Sequence, residues 1–165
     1  MHLTRRCLGV GIAGCGALLA VSVGACERTP AVEVLAAVNG ARAQARQCGG
    51  VSMSAAPPVV WSAVLAKAAR HHSKDMADHE LFSHQGSDGH GVGDRVHAAG
   101  GEWRAAAENI AGGPSSAAEV VSLWLSSPGH CANLMNPVFT EIGLACSTRD
   151  NSRYGRYWTL VLTRP

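Results

Sequence analysis

Three side chains stand where they could do chemistry if the fold brought them together. His130 follows Pro128-Gly129 in the run Trp124-Leu125-Ser126-Ser127. The Pro-Gly pair reads as a helix stop and leaves the histidine on an ordered corner rather than on a mobile loop. His84 sits on a second corner, between Leu81-Phe82-Ser83 and the glycine-punctuated run Gly86-Ser87-Asp88-Gly89. Glu108 lies beside Asn109-Ile110 and a Gly112-Gly113 turn, and alone it reads as a solvated charge. Ser127 is three residues from His130, but no nucleophile elbow surrounds it and no oxyanion donors are identifiable. No His-Glu-x-x-His helix is present.

The elements that must position these residues follow from periodicity. From Ala31 to Gln47, Val34, Leu35, Val38, Ala41 and Ala45 recur at helical spacing, with Cys48-Gly49-Gly50 as the stop. Asn39 and Arg42 on this helix are either solvated or reach backbone groups of a neighbour. Residues 51–58 read as loop. A second helix carries Trp61, Val64, Leu65, Ala68, Ala69, His72 and Met76 on one stripe. There His72 reads first as a hydrogen-bonded core residue, whereas His71 and His79 fall off the stripe and read as solvated. Asp94-Arg95 opens a short helical stretch closed by Gly100-Gly101, and Trp103 is expected to be packed. Ser116 and Glu119 make a capping box for a helix through Val121 and Trp124. Phe139 to Cys146 alternates, Tyr157 to Leu162 is β-branched and aromatic, and Asp150-Asn151-Ser152 supplies a turn between them. The two runs form an antiparallel hairpin, so the chain reads as an α+β domain with helices on a small sheet.

Residues 1–25 read as an export signal, with Arg5-Arg6 before an apolar run from Leu8 to Val23. Val23-Gly24-Ala25-Cys26 resembles the lipobox at which bacterial lipoproteins are cut and acylated, which would attach the chain to a membrane through a lipid on Cys26. Ordinary cleavage near Ala25 with free secretion is the competing reading. Beyond the signal, residues 31–165 suit a single domain, expected to be monomeric. Without Arg5 and Arg6 the net charge is near zero, which argues against a nucleic-acid partner. Cys26, Cys48, Cys131 and Cys146 lie at or beyond the cleavage point, and outside the cytosol pairing is expected. A Cys48–Cys131 bridge would tie the N-terminal helix to the central turn; Cys131 with Cys146 and Cys48 with Cys146 stay open.

Leu81-Phe82-Ser83-His84, Glu108-Asn109-Ile110-Ala111, Trp124 to His130, Phe139-Thr140-Glu141-Ile142-Gly143 and Tyr157-Trp158-Thr159 occur in this order. Together, over Val34 to Leu162, they resemble the CAP superfamily of cysteine-rich secretory proteins, antigen 5 and pathogenesis-related class 1 proteins, in its bacterial secreted, SCP-like form. The resemblance implies a three-layer α-β-α sandwich with a small, mostly antiparallel sheet. It also implies a central cavity lined by two histidines and two acids, which in some members holds a divalent metal. By position, His84, Glu108 and His130 match three of the four, and Ser127 lines the cavity where the second acid would stand.

Two imidazoles and a carboxylate suit Zn2+ or another divalent metal with one open position. Alternatively, Glu108 accepts hydrogen bonds from both histidines and raises the pKa of each. Two functions are expected from the resemblance. One is a secreted or envelope-anchored, non-enzymatic domain that binds a lipid, a sterol or a cell-surface partner. The other is a metal-dependent hydrolase acting on an envelope peptide or ester.

Overall fold

The computed structural model describes Cys26 and residues 31–165; the expected signal over 1–25 lies outside the described residues. In chain order the elements are α1 (Ala31–Arg42), β1 (Arg46–Cys48), β2 (Val51–Met53), β3 (Val60–Trp61), α2 (Ala63–His79), α3 (Val92–Ala99), β4 (Ala105–Gly112), α4 (Ala117–Ser126), α5 (Pro128–Met135), β5 (Glu141–Thr148) and β6 (Arg156–Arg164). The main sheet has the order β3-β5-β6-β4. β6 pairs antiparallel with both β5 and β4, and only the short β3 runs parallel to β5.

Alternation along β5 and β6 builds the layers, because successive side chains leave opposite faces of a strand. Ile142, Leu144, Trp158, Leu160 and Leu162 meet Val34 and Val38 of α1, Val120 and Trp124 of α4 and Leu134 of α5. On the other face, Ala145 and Val161 meet Leu65 and Ala69 of α2 and Val96 of α3. The result is the expected three-layer α-β-α sandwich. Gly143 sets the closeness of the α2 layer: a Cβ there would stand 2.1 Å from the Ala66 nitrogen and 2.3 Å from the Leu65 carbonyl carbon. Helix backbone lies directly on strand backbone at this point.

Several sequence expectations change. α1 ends at Arg42, and Arg46 to Met53 forms an antiparallel hairpin whose loop is Gly49-Gly50. Those glycines turn a two-residue hairpin, with Gly49 at φ 65°, rather than stop a helix. Trp61 belongs to β3, and α2 starts at Ala63. Pro128 opens α5 rather than only stopping α4, because proline at the first helical position loses no intrahelical hydrogen bond. Trp103 is 45% exposed, its indole lying against Gly93 and donating to the Gly93 carbonyl at 3.2 Å. Glu119 caps Ser115 rather than Ser116: its Oε2 accepts from the Ser115 backbone N–H at 2.7 Å, while Ser116 Oγ accepts from the Glu119 N–H.

Arg42 is fully buried, not solvated. Its guanidinium donates to the carbonyls of Pro57, Leu134, Asn136 and Phe139 at 2.6–3.2 Å, bracing the segment that links α5 to β5. Asn39 bonds both backbone groups of Val59, at 3.0 and 2.9 Å. Cys48 is bonded to Cys131 and Cys26 to Cys146. The second bridge joins residues 120 positions apart and differs from the alternatives that pair Cys146 with Cys131 or Cys48.

Candidate functional site

β4 is an edge strand, and its alternation divides the site residues between the two faces of the sheet. Glu108 turns toward the segment between α2 and α3, and Asn109 turns toward α5. The Glu108 carboxylate is 3% exposed and both of its oxygens are engaged. Oε2 takes a bidentate-capable partner, Arg95 Nη2, at 2.7 Å, and Oε1 accepts from His84 Nδ1 at 2.9 Å. Because the carboxylate oxygen accepts, that contact places a proton on Nδ1 of the exposed His84 ring.

Arg95 was not singled out by sequence. It is 4% exposed, and beyond Glu108 it donates to the carbonyls of His90 at 2.7 Å and His84 at 3.0 Å. One guanidinium therefore holds both the carboxylate and the backbone of the segment that carries His84. Ser87 secures the same segment from the other side, donating its N–H and Oγ to Asp75 of α2 at 2.8 and 2.5 Å. A charged residue in the short stretch Val92-Gly93-Asp94-Arg95-Val96, flanked by small and apolar residues, was the available signal.

His72 is fully buried, as its place on the apolar stripe implied. Its Nε2–H donates to the Ser83 carbonyl at 2.8 Å, so Nδ1 carries a lone pair with no partner. Glu108 Oε1 lies 3.6 Å from Nε2, too far for a hydrogen bond. Burial holds the His72 pKa below its ordinary value, and Arg95 opposes the upward pull of Glu108. The ring is neutral, so the contact with Glu108 is not an ion pair.

His130 lies in the first turn of α5. Asn109 Nδ2 donates to its carbonyl at 3.0 Å, and Asn133 Nδ2 donates to Asn109 Oδ1 at 2.8 Å. The half-buried imidazole makes no hydrogen bond or ion pair with Glu108 among the described residues. Its pKa is lowered, first by burial and then by His84, rather than raised by the carboxylate. The structure thus brings His84 and Glu108 into contact and sets His130 near His84 without a link to Glu108.

Two depressions flank β4. An open cleft of about 490 Å³ is lined by His84, Gln85, Val92, Ala107, Glu108 and Asn133. A groove of about 300 Å³ runs over the C-terminal half of β4, lined by Phe82, Ile110, Leu123, Trp124 and Tyr154, with Ser126, Ser127 and His130 among its polar members. Phe82 and Leu123 are 42% and 46% exposed there. The Phe82 and Tyr154 rings pack tilted at 39° with centroids 4.8 Å apart, and Gly112 makes room for Tyr154, since a Cβ would meet that ring at 2.5 Å. Sequence reading missed Leu123 and Tyr154 as site residues.

His84, Glu108 and His130 do not fit a three-ligand metal site in this arrangement. The Glu108 oxygens are taken up by Arg95 and His84, and no group of three or more His, Cys, Asp or Glu among the described residues could hold an ion. The carboxylate orients an imidazole instead of presenting free lone pairs. No hydrogen bond joins Ser127 to His130 or Glu108 among the described residues.

Comparison with known proteins agrees with this architecture. A model of the cysteine-rich secretory protein family, CAP, matches residues 35–162, and the chain belongs to that family. It is 39% identical over 87 residues to the uncharacterised protein YkwD of Bacillus subtilis, covering 53% of this chain and 34% of that one. Among solved structures, an extracellular SCP-domain protein of Bacillus anthracis superposes with a TM-score of 0.60 at 33% identity, over 67% of this chain and 35% of the other. The Schistosoma mansoni venom allergen-like protein 4 shares the fold, with a TM-score of 0.53 at 12% identity, over 80% of this chain and 86% of its own. The chain spans about a third or less of the curated relatives it matches.

Proposed function

We propose that this chain is an extracytoplasmic, non-enzymatic CAP domain that binds a lipid-like ligand. The observation that carries this reading is the groove over β4, where Phe82 and Leu123 leave apolar surface open beside Ile110, Trp124 and Tyr154. Its volume of about 300 Å³ is at the lower end of ligand pockets, which run to roughly 300–1,000 Å³. An acyl chain or a flat sterol body would cover the aromatic wall, and Ser127 and His130 would meet a polar head. The lowered pKa leaves His130 neutral at neutral pH, able to hydrogen-bond such a head without the cost of burying a charge.

Two disulfides support an oxidising, extracytoplasmic setting. Relatives described as an extracellular protein of Bacillus anthracis and an outer surface protein of Borrelia burgdorferi support the same setting. Among the described residues no helix is long and apolar enough to cross a membrane. The hydrolase reading has less support, since the Glu108 carboxylate is engaged by Arg95 and His84 and no hydrogen bond joins Ser127 to His130 among the described residues.

Titration of the mature protein with a fluorescent long-chain fatty acid and a fluorescent sterol tests this function. Saturable binding of one of them is expected, and linear, non-saturable partitioning of both would overturn the proposal.

A further inference from the structure

Cys26 presents one sulfur with two competing fates. The sequence before it resembles a lipoprotein cleavage site, yet in the fold this residue is bonded to Cys146 of the central strand β5, 120 positions away. It is 3% exposed and belongs to the main core with Leu144, Cys146 and Trp158. We propose that the Cys26 sulfur is committed to this bridge and is not a lipid-attachment site, so a disulfide, not an acyl anchor, fastens the beginning of the mature chain.

The chemistry makes the fates exclusive. A diacylglyceryl anchor forms a thioether: the sulfur bonds to the glyceryl carbon of a phospholipid, and the thiol proton leaves with the displaced phosphate headgroup. The bridge forms by exchange with an external disulfide, which accepts two electrons and two protons and departs as two thiols while Cys26 and Cys146 join. After either reaction the sulfur has no third covalent position to offer.

Burial and parity favour the bridge. A lipid on this residue would have to fit where Cys26 packs against Leu144 and Trp158, beside a depression of about 80 Å³ lined by Trp61, Ala66 and Arg70. The four cysteines among the described residues also pair completely, Cys48 with Cys131 and Cys26 with Cys146. Acylating Cys26 would strand Cys146 as an odd thiol in an oxidising compartment.

The test uses the full chain with its own leader, produced in a bacterial host fed an alkyne-tagged palmitate, beside the Cys26→Ser variant. Non-reducing peptide mapping of the wild type is expected to recover a Cys26–Cys146 cross-linked peptide. Tag incorporation should be no greater than in the variant, and alkylation under denaturing conditions should leave both Cys26 and Cys146 unmodified. Tag present in the wild type and absent from Cys26→Ser would overturn the proposal. So would Cys146 alkylated before reduction.

Discussion

Arg95 Nη2 lies 2.7 Å from Glu108 Oε2, and both side chains are 3% exposed. Each charge is out of water and depends on the other, so removing one partner leaves an uncompensated buried ion. Arg95→Met is therefore expected to cost about 3–5 kcal/mol, as is Glu108→Leu. The double variant should cost well below the sum, because it removes the pair together. Urea unfolding of all four proteins measures the coupling; additive losses would contradict the pairing.

Burial of neutral histidines makes stability depend on pH. The pKa values of His72 and His130 are both lowered from 6.5, burial being the first cause for each. The unfolded chain therefore binds protons that the folded chain refuses. Their contribution is complete above pH 6.5 and is lost as the pH falls toward the lowered folded values. The midpoint of thermal unfolding should drop between pH 7 and pH 5, and the drop should be smaller in His72→Gln. An identical drop in that variant would remove His72 as a cause.

Cys48–Cys131 closes a loop of 83 residues and fastens the β1–β2 hairpin to α5. Replacing both by serine should destabilise the fold by about 2–5 kcal/mol through the freed unfolded chain. Denaturant midpoints of oxidised wild type and double variant give the comparison, and a change under about 0.5 kcal/mol would show the bridge to be dispensable.

Gly143→Ala places a methyl group against the backbone of Leu65 and Ala66. Backbone cannot rotate away as a side chain can, so α2 must lift from β5. A cost of about 3 kcal/mol or more is expected. Thermal unfolding and the dispersion of amide signals in NMR spectra report it; wild-type stability would mean that α2 does not lie so close.

Strong periodicity made β5, β6 and the cores of α1, α2 and α4 legible. The Ala105-Ala106-Ala107 start of β4 was not, because alanine has little strand preference and only pairing with Leu162 to Arg164 makes it a strand. Pro128-Gly129 carries the same letters whether it stops one helix or starts another, and the packing of Leu134 and Met135 decides for α5. His84 and Glu108 could be assigned to one site by motif. Arg95 could not, since its acceptors on His84, His90 and Glu108 meet only in three dimensions. The separation of His130 from Glu108 was hidden for a related reason: one-residue alternation on β4 puts Glu108 and the Asn109 clamp on opposite faces.

Leu123 decides most directly whether the groove over β4 holds a ligand. It is 46% exposed, so Leu123→Glu should leave folding intact while placing a charge on the apolar wall. Fluorescent fatty-acid and sterol titrations of the two mature proteins, matched in thermal stability, give the comparison. Saturable binding by the wild type, weakened about tenfold or more in Leu123→Glu, equivalent to ~1.4 kcal/mol, is the predicted result. Equal affinity in both proteins, or no saturable binding in either, would contradict it.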